Sequence, residues 1–242
     1  MNVPQLARAN QVSLTKLVER AVRDGIRSRE LIPGEIYSVQ QIADLIGVSR
    51  SPAREALLKL ADAGLAVIER NRGFRVVLPR PRDIAEIFAV RLALEPAAAE
   101  RLARRADSAE TAGLRDRMTA MGANADVRHE DTFWSIDREI HGFILREAGN
   151  FRAAAIVESL REITALLGEP TSAVSRTLTD IEAEHRTIVD TILERDPLGA
   201  RTAMEAHLTS TGRLLMAQTA GLRPDAPAIA MLWSEVLSGA AR

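Results

Sequence analysis

Residues 38–64 read SVQQIADLIGVSRSPAREALLKLADAG, and this stretch decides the fold of the first third of the chain. Ser38, with a Gln three residues later, is the capping-box signature of a helix start. Gly47 suits the left-handed position that ends such a helix. A second apolar stripe follows, opened by Ser51 and Pro52 as the predicted cap and first residue of a helix. The spacing predicts two short helices joined by a tight turn, a helix-turn-helix.

Flanking patterns extend this unit to a winged helix-turn-helix. Residues 13–30 repeat apolar positions on one face of a helix, and a Pro-Gly turn follows. Two β-prone runs at 65–69 and 74–78 enclose a turn that contains Arg72, which predicts a hairpin with a basic tip. Three helices and a β-hairpin wing therefore make up a predicted domain at 1–78.

Charge is divided unevenly along the chain. Residues 1–82 hold 14 Lys and Arg against 8 Asp and Glu, whereas the remaining residues hold 18 against 25. A basic module joined to an acidic remainder suits binding of a polyanion. The first residues of a recognition helix meet base edges, and arginine pairs with guanine, so Arg50 and Arg54 are predicted DNA contacts. The alternative is a solvated helix face with incidental arginines.

The span from Pro33 to Val77 resembles the winged helix of GntR-type bacterial transcription regulators. The matching pieces are Gly47-Val48-Ser49-Arg50-Ser51-Pro52, Arg54-Glu55-Ala56-Leu57, Gly64-Leu65 and Asn71-Arg72-Gly73. Many members begin the second helix with a DNA-contacting arginine where this chain has Gln40, so we expect a different operator preference. The predicted DNA-binding residues are Ser38, Gln40, Ser49, Arg50, Ser51, Arg54, Arg72 and Gly73.

Composition narrows the class of protein. The chain has no cysteine, which excludes disulfides and thiolate metal sites. The N-terminus lacks the apolar core of a signal peptide, and no run approaches 18 apolar residues. We therefore expect a cytoplasmic, nucleoid-associated protein with no membrane partner.

The second part of the chain is predicted to be entirely helical. Pro79-Arg80-Pro81-Arg82 reads as a stiff linker at 79–82. Helical periodicity predicts helices at 83–105, 108–122, 128–148, 151–167, 174–195, 198–219 and 226–239. The chain as a whole is thus expected to be mostly α, with an antiparallel all-α bundle at 83–220 and an extra helix in the C-terminal segment 221–242.

Polar residues interrupt the apolar stripes of three predicted helices. Asp137 and His141 lie four residues apart on one stripe, and His185 and His207 lie on two others. A lone inward histidine is usually a hydrogen-bonded core residue. Three imidazoles and a carboxylate are harder to satisfy separately, and one metal ion bound by all four would do so. Without sulfur ligands, zinc, nickel, manganese and iron are all chemically possible.

Arg91 and Glu95 share the apolar side of the first helix in this region. A buried arginine is costly unless it is paired. One interpretation is an ion pair between these two residues at i, i+4. The other is an arginine directed at the carboxylate of a ligand near the metal.

Residues 83–218 resemble the all-helical effector-binding FCD domain of the FadR-like branch. The matching pieces are Arg91-x3-Glu95, Asp137-x3-His141 followed by Asn150, Glu184-His185-Arg186, Asp196 and His207-Leu208. The resemblance implies a divalent metal, commonly zinc, held by Asp137, His141, His185 and His207. It also implies an adjacent pocket for a small carboxylate or sugar acid, with Arg91 and Glu95 as the predicted ligand-binding residues.

Together these patterns predict a ligand-responsive transcription regulator, which we expect to act as a repressor. It would bind a pseudo-palindromic double-stranded operator as a homodimer, because two-fold symmetry doubles the contacts of one small module. We expect no catalytic activity, since no unassigned general base stands out near the metal ligands. The alternatives are a purely structural metal, with the helical domain serving only dimerisation, and a metal-dependent enzyme.

Overall fold

A computed structural model describes residues 5–105, 107–165 and 176–239 of the chain. These residues divide into two compact units at the bond between Pro79 and Arg80. The end of the helix predicted at 151–167 and the start of the one predicted at 174–195 lie partly outside the described residues.

The N-terminal unit is a winged helix-turn-helix, as predicted. Its elements in order are α1 (Gln5–Arg27), β1 (Ile36–Tyr37), α2 (Val39–Ile46), α3 (Arg50–Asp62), β2 (Ala66–Glu69) and β3 (Gly73–Val76). Helix α1 packs mainly against α3, and Val18, Ala53 and Leu57 are buried in the core of this unit. This packing leaves the other side of α3 exposed.

The capping box of α2 forms as the sequence predicts. The Ser38 hydroxyl accepts a hydrogen bond from the backbone N–H of Gln41, and the Gln41 side chain accepts one from the backbone N–H of Ser38. Gly47 ends the helix at φ 75°. The predicted start of α3 was wrong, because Ser49 rather than Ser51 is the N-cap and Arg50 is the first helical residue. Arg50 and Ser51 therefore both belong to the first turn of α3.

The wing contains one strand more than the sequence predicted. β1 pairs antiparallel with β3, which also pairs antiparallel with β2, so β3 is the central strand of a three-stranded sheet. Gly73 begins β3 at φ 130°, and a Cβ added there would lie 2.2 Å from the carbonyl oxygen of Tyr37. Close approach of the wing to β1 thus requires a glycine at this position.

The second unit is all-helical within the described residues, as predicted. Its α-helices are α4 (Pro81–Arg105), α5 (Ser108–Ala123), α6 (Glu130–Glu147), α7 (Phe151–Thr164), α8 (Leu178–Leu193), α9 (Pro197–Ala220) and α10 (Pro227–Ser238), with a 3-10 helix at Val127–His129. Helix α4 begins inside the predicted linker, since Pro81 suits the first turn of a helix. The Asp83 carboxylate also accepts the backbone N–H of Arg80 at 2.8 Å.

Helix α4 forms the centre of this unit. It packs along α9 over much of its length and also contacts α6, α8 and α10. Helix α10 covers part of α4 through the buried side chains of Ile229 and Trp233. None of the helices in the described ranges is both long and apolar enough to cross a membrane.

Candidate metal centre and DNA-binding surface

The four predicted metal ligands meet inside the helical unit. Asp137 and His141 come from α6, His185 from α8 and His207 from α9, and all four are buried. One potential ligand atom from each residue lies within 4.8 Å of the other three. Asp137 Oδ1 is 2.8 Å from His185 Nε2, and the Nε2 atoms of His141 and His185 are 3.2 Å apart. The sequence-predicted cluster is therefore assembled by three helices.

Each imidazole is oriented by an acceptor on its outer side. His185 Nδ1 donates to the carbonyl oxygen of Ile181 at 2.8 Å, and His207 Nδ1 donates to Glu184 Oε2 at 2.7 Å. His141 Nδ1 bonds to Glu95 Oε2. A ring nitrogen that donates to an oxygen carries the proton, so the neutral ring has its lone pair on Nε2. Outer partners of this kind fix the orientation of histidines that bind metals.

The buried surroundings keep two of these rings in the neutral form. Burial, followed by the neighbouring His141, lowers the pKa of His185 to about 3. Burial, followed by His185 and His141, also lowers the pKa of His207 well below its usual value. Neutral imidazole is the form that binds a metal, so both rings are poised as ligands near neutral pH.

This donor set fits a divalent metal ion. Oxygen and nitrogen ligands about 2.1 Å from one ion stand about 3.0–3.4 Å apart, close to the separations of 2.8 and 3.2 Å observed here. The Nε2 atoms of His141 and His185 face each other next to an Asp137 oxygen, and a cation between them could bind all three atoms. Nitrogen and oxygen donors without sulfur suit zinc, nickel, manganese or iron.

The two predicted ligand-binding residues lie directly behind the cluster. Arg91 Nε donates to Glu95 Oε1 at 2.6 Å, so the ion pair considered from the sequence does form. Burial alone would raise the pKa of Glu95, but the positive charge of Arg91 and the hydrogen bonds that Arg91 and His141 donate outweigh it and lower that pKa below its usual range. Glu95 thus joins Arg91 to His141, one of the predicted metal ligands.

Three side chains that contact the cluster or its outer partners were not assigned a role from the sequence: Arg161, Arg176 and Glu184. Arg161 on α7 donates to Asp137 Oδ2, and Arg176 donates to the Glu184 carboxylate that orients His207. Arg161 stands four residues after the buried Val157, on the apolar stripe of α7. The stripe rule that singled out Arg91 would therefore have found Arg161 as well.

The predicted recognition helix exposes the side chains expected to meet DNA. The residues Ser49, Arg50, Ser51 and Arg54 are all exposed, at the cap and in the first two turns of α3. A helix N-terminus carries unpaired N–H groups and partial positive charge, which favours a phosphate nearby. Serine hydroxyls and guanidinium groups at this end can therefore contact the phosphate backbone and base edges.

Other predicted DNA contacts have additional structural roles. Ser38 caps α2, Gly73 allows the close approach of β3 to β1, and Gln40 Nε2 donates to Asp44 Oδ1 at 2.7 Å. Arg72 is exposed at the tip of the wing. Arg75, on strand β3, stabilises the wing, because its guanidinium pairs with Glu69 and donates to the carbonyl oxygen of Gly34.

A surface groove also lies in the helical unit. It runs between α5 and α8, has a volume of about 670 Å³ and includes Arg115, Glu182, Arg186 and Asp190 in its lining. None of the four predicted metal ligands lines it. Arg186 and Glu182 pair with each other in its wall, so this groove is distinct from the candidate metal centre.

A winged helix-turn-helix followed by a helical domain with a buried Asp–His cluster defines a class of protein, the DNA-binding transcription regulator with an effector domain. Comparison with known families agrees. Residues 14–76 match the family described as "Bacterial regulatory proteins, gntR family", and residues 86–210 match the FCD domain. The protein belongs to the GntR family of transcription regulators and carries an FCD effector domain.

Individual relatives point to the same class. The chain is 30% identical over 190 residues to an uncharacterized HTH-type transcriptional regulator in an unstable DNA locus of Streptomyces ambofaciens, covering 77% of this chain and 78% of that protein. It is 29% identical over 171 residues to a probable D-xylose utilization operon transcriptional repressor of Paenarthrobacter nicotinovorans, covering 70% and 74%. The family and these relatives are transcription regulators and not enzymes.

A solved structure shares the fold. Escherichia coli McbR/YncC superposes with a TM-score of 0.68 at 18% sequence identity, covering 85% of this chain and 98% of that chain. At this level of identity the likeness concerns the fold alone.

Proposed function

We propose that this regulator senses a small organic or sugar acid at a metal-centred pocket and acts as a repressor. The metal is divalent, with zinc as the first candidate, and its ligands are Asp137, His141, His185 and His207. The observation that carries the proposal is the convergence of four buried donor residues, three of them histidines whose Nδ1 atoms are each bonded to an oxygen outside the cluster. A bound metal would supply an electrophilic centre to which a carboxylate oxygen can bind.

The DNA-binding half of the proposal rests on the exposed start of α3. Ser49, Arg50, Ser51 and Arg54 would enter the major groove, while Arg72 would reach a neighbouring phosphate or the minor groove. A single module of this size buries too little surface for a specific operator complex. We therefore propose a homodimer on a pseudo-palindromic operator, in the cytoplasm and associated with the nucleoid.

The effector half rests on the charged groups around the metal ligands. Arg91 and Glu95 lie within the site, and an anionic effector would bind beside the metal and complete its coordination. Its binding would favour one arrangement of the DNA-binding modules over another. A coupling free energy of about 1–3 kcal/mol would change operator affinity about 5- to 150-fold. The Paenarthrobacter nicotinovorans relative, described as a sugar-utilization operon repressor, supports repression relieved by a metabolite.

One observation favours a narrower alternative. The four ligands are fully or almost fully buried, with relative exposures of 0–5%, as in structural metal sites. In that case the metal stabilises the helical domain, and this domain serves dimerisation only.

Measuring the metal content distinguishes the proposed metal site from a buried cluster that is hydrogen-bonded and binds no metal. Purified wild-type protein is expected to bind one Co²⁺ or Zn²⁺ per chain, and His141→Ala is expected to bind none. His129→Ala removes an exposed histidine outside the cluster and should retain the metal. Full metal occupancy in His141→Ala would remove this residue from the site.

Effector sensing needs a second measurement on the same protein. A panel of small carboxylates is screened by thermal shift with and without metal. An acid that raises the melting temperature only with metal present, and that changes operator affinity, supports sensing. If chelation lowers the melting temperature but no acid affects either quantity, the structural alternative holds.

A further inference from the structure

Helix α10 belongs to the helical unit but has no part in the proposed function. It follows the residues that match the FCD domain, which end at 210. It packs mainly against α4, and its side chains Ile229 and Trp233 are buried. An element that buries two large apolar side chains is a fixed part of the unit, so its contacts with α4 constrain that helix.

Two contacts of α10 fall on the first part of α4. The ring of Trp233 packs against that of Phe88, and the Glu235 carboxylate accepts a hydrogen bond from Arg82 Nη2. Arg82 lies in the first turn of α4, three residues after Pro79, where the N-terminal unit ends. Helix α10 therefore holds both the beginning of α4 and a ring further along the same helix.

A proline divides α4 beyond these contacts. Pro96 lies inside the helix and has no N–H, so the carbonyl of Leu92 lacks its usual helical hydrogen bond. Helices bend most readily at such positions. The residue just before the proline is Glu95, which bonds to His141. Residues 81–95 thus form a segment that can bend against the rest of α4.

A continuous series of side-chain contacts joins α10 to the candidate metal centre. Trp233 packs against Phe88, and the Arg91 guanidinium lies over the other side chain of this contact, the Phe88 ring. Arg91 donates to Glu95, which bonds to His141. Contacts alone do not couple two sites, since coupling needs an element with two arrangements. The segment of α4 that ends at the proline is such an element.

We propose that α10 is a clasp, in which Trp233 and Glu235 hold residues 81–95 of α4 in the arrangement that favours operator binding. A change at the metal centre reaches the clasp through Phe88. The inference deepens the proposed function and rests on it for the metal and the operator. Both clasp residues act through α4, so they are positioning residues.

The first test is the operator affinity of full-length Glu235→Gln, measured by fluorescence anisotropy on an operator selected from genomic fragments. Its affinity is expected to fall at least about threefold, because a released α4 segment must be ordered again on binding. Charge alone predicts the opposite, since removing an acidic group favours binding to phosphates. The direction of the change therefore distinguishes the clasp from a charge effect.

The control for this variant is Glu158→Gln, which removes an exposed carboxylate on α7. It should bind the operator as tightly as wild type or slightly more tightly. Glu235→Gln is expected to fold, because Arg82 and Glu235 are both partly exposed and such ion pairs contribute little to stability.

A double-mutant cycle shows whether Glu235 acts through Arg82. Arg82→Gln alone could lose a phosphate contact of its own, so its effect is not decisive. If the two residues act as a pair, adding Glu235→Gln to the Arg82→Gln protein is expected to weaken operator binding no further.

The emission of Trp233 tests the connection to the metal centre. The chain has two tryptophans, so in Trp134→Phe only Trp233 emits. Zinc is expected to change this emission with an end point at one ion per chain. It should have no effect once His141→Ala is added. Zn²⁺ has a filled d shell and no redox chemistry, so the change would report a rearrangement around the ring.

Three outcomes would overturn the proposal. They are operator binding by Glu235→Gln that equals or exceeds that of wild type, a full effect of this substitution in the Arg82→Gln protein, and Trp233 emission that ignores bound zinc. If wild-type protein binds no zinc, the proposed metal function fails separately. The operator measurements need no metal and still decide whether α10 acts as a clasp.

Discussion

Trp233 on α10 lies against Phe88 on α4, with ring centroids 6.4 Å apart and ring planes tilted by 49°. Gly212 on α9 faces the same pair, and a Cβ added there would lie 2.6 Å from Trp233 and 2.8 Å from Phe88. Three helices therefore meet at a position that only a glycine fits. The Arg91 guanidinium lies 4.8 Å from the Phe88 ring centre, which connects this contact to the candidate metal site.

Gly212→Ala is expected to lower the free energy of unfolding by about 1–3 kcal/mol, because a methyl group cannot enter this contact without moving two aromatic rings. Urea unfolding followed by circular dichroism measures the change. Gly122→Ala is the control, since its nearest non-local atom would be 3.4 Å away and a helical alanine is about 0.5–1 kcal/mol better than glycine. Equal stability of the two variants would contradict the close packing.

Arg54→Ala is expected to weaken specific DNA binding by about 1–3 kcal/mol per half-site. Its side chain is exposed near the start of α3, where a base contact would be lost while the core of the domain is unchanged. Fluorescence anisotropy on an operator selected from genomic fragments measures the effect. Arg152→Ala, in the helical unit, should bind that operator as wild type does. Unaltered affinity of Arg54→Ala would refute the assignment of α3 as the recognition helix.

Glu95→Gln is expected to lower metal affinity about 10- to 100-fold. Glu95 accepts hydrogen bonds from both Arg91 and His141, whereas a glutamine has one acceptor oxygen for these two donors. Competition titration with a zinc chelator measures the affinity. Glu139→Gln changes a carboxylate on α6 that is 56% exposed, and it should leave zinc binding unchanged. A wild-type zinc affinity in Glu95→Gln would show that His141 needs no such partner.

Stability in the presence of a chelator is expected to fall as the pH drops below about 6.5. His185, with a pKa of about 3 when folded, and His207, also lowered, stay neutral in the folded protein but take up protons once unfolded. Each such ring destabilises the fold by about 1.4 kcal/mol per pH unit within this window. The effect is best measured by urea unfolding between pH 7 and 5, where most carboxylates remain ionised. A constant free energy of unfolding over that range would contradict the neutral, buried rings.

Periodicity and capping were enough to locate the helices and the four buried donors. Asp137 and His141 could be paired from their i, i+4 spacing, because both must then lie on the buried face of one helix. The role of Glu184 was not visible in this way. Glu184 on α8 accepts a hydrogen bond from His207 on α9. Contacts between different helices leave no periodic signal in the sequence.

Short elements were the hardest to predict. β1 is two residues long and exists because it pairs with β3. The local sequence at Ile36 and Tyr37 therefore contains no pattern from which this strand could be predicted. The start of α3 was misplaced because Ser49 and Ser51 both suit a cap by residue type. The backbone conformation selects Ser49, whose side chain makes no capping hydrogen bond.

The outer partners of the three imidazoles have a consequence for metal exchange. Glu95, Ile181 and Glu184 hold the rings of His141, His185 and His207 in place, so an incoming ion would meet rings that are already oriented. Ions of similar size would then bind with little rearrangement, and their relative affinities would follow the general order for nitrogen and oxygen ligands. The supply of each metal in the cell, rather than the shape of the site, would therefore decide which one the regulator carries.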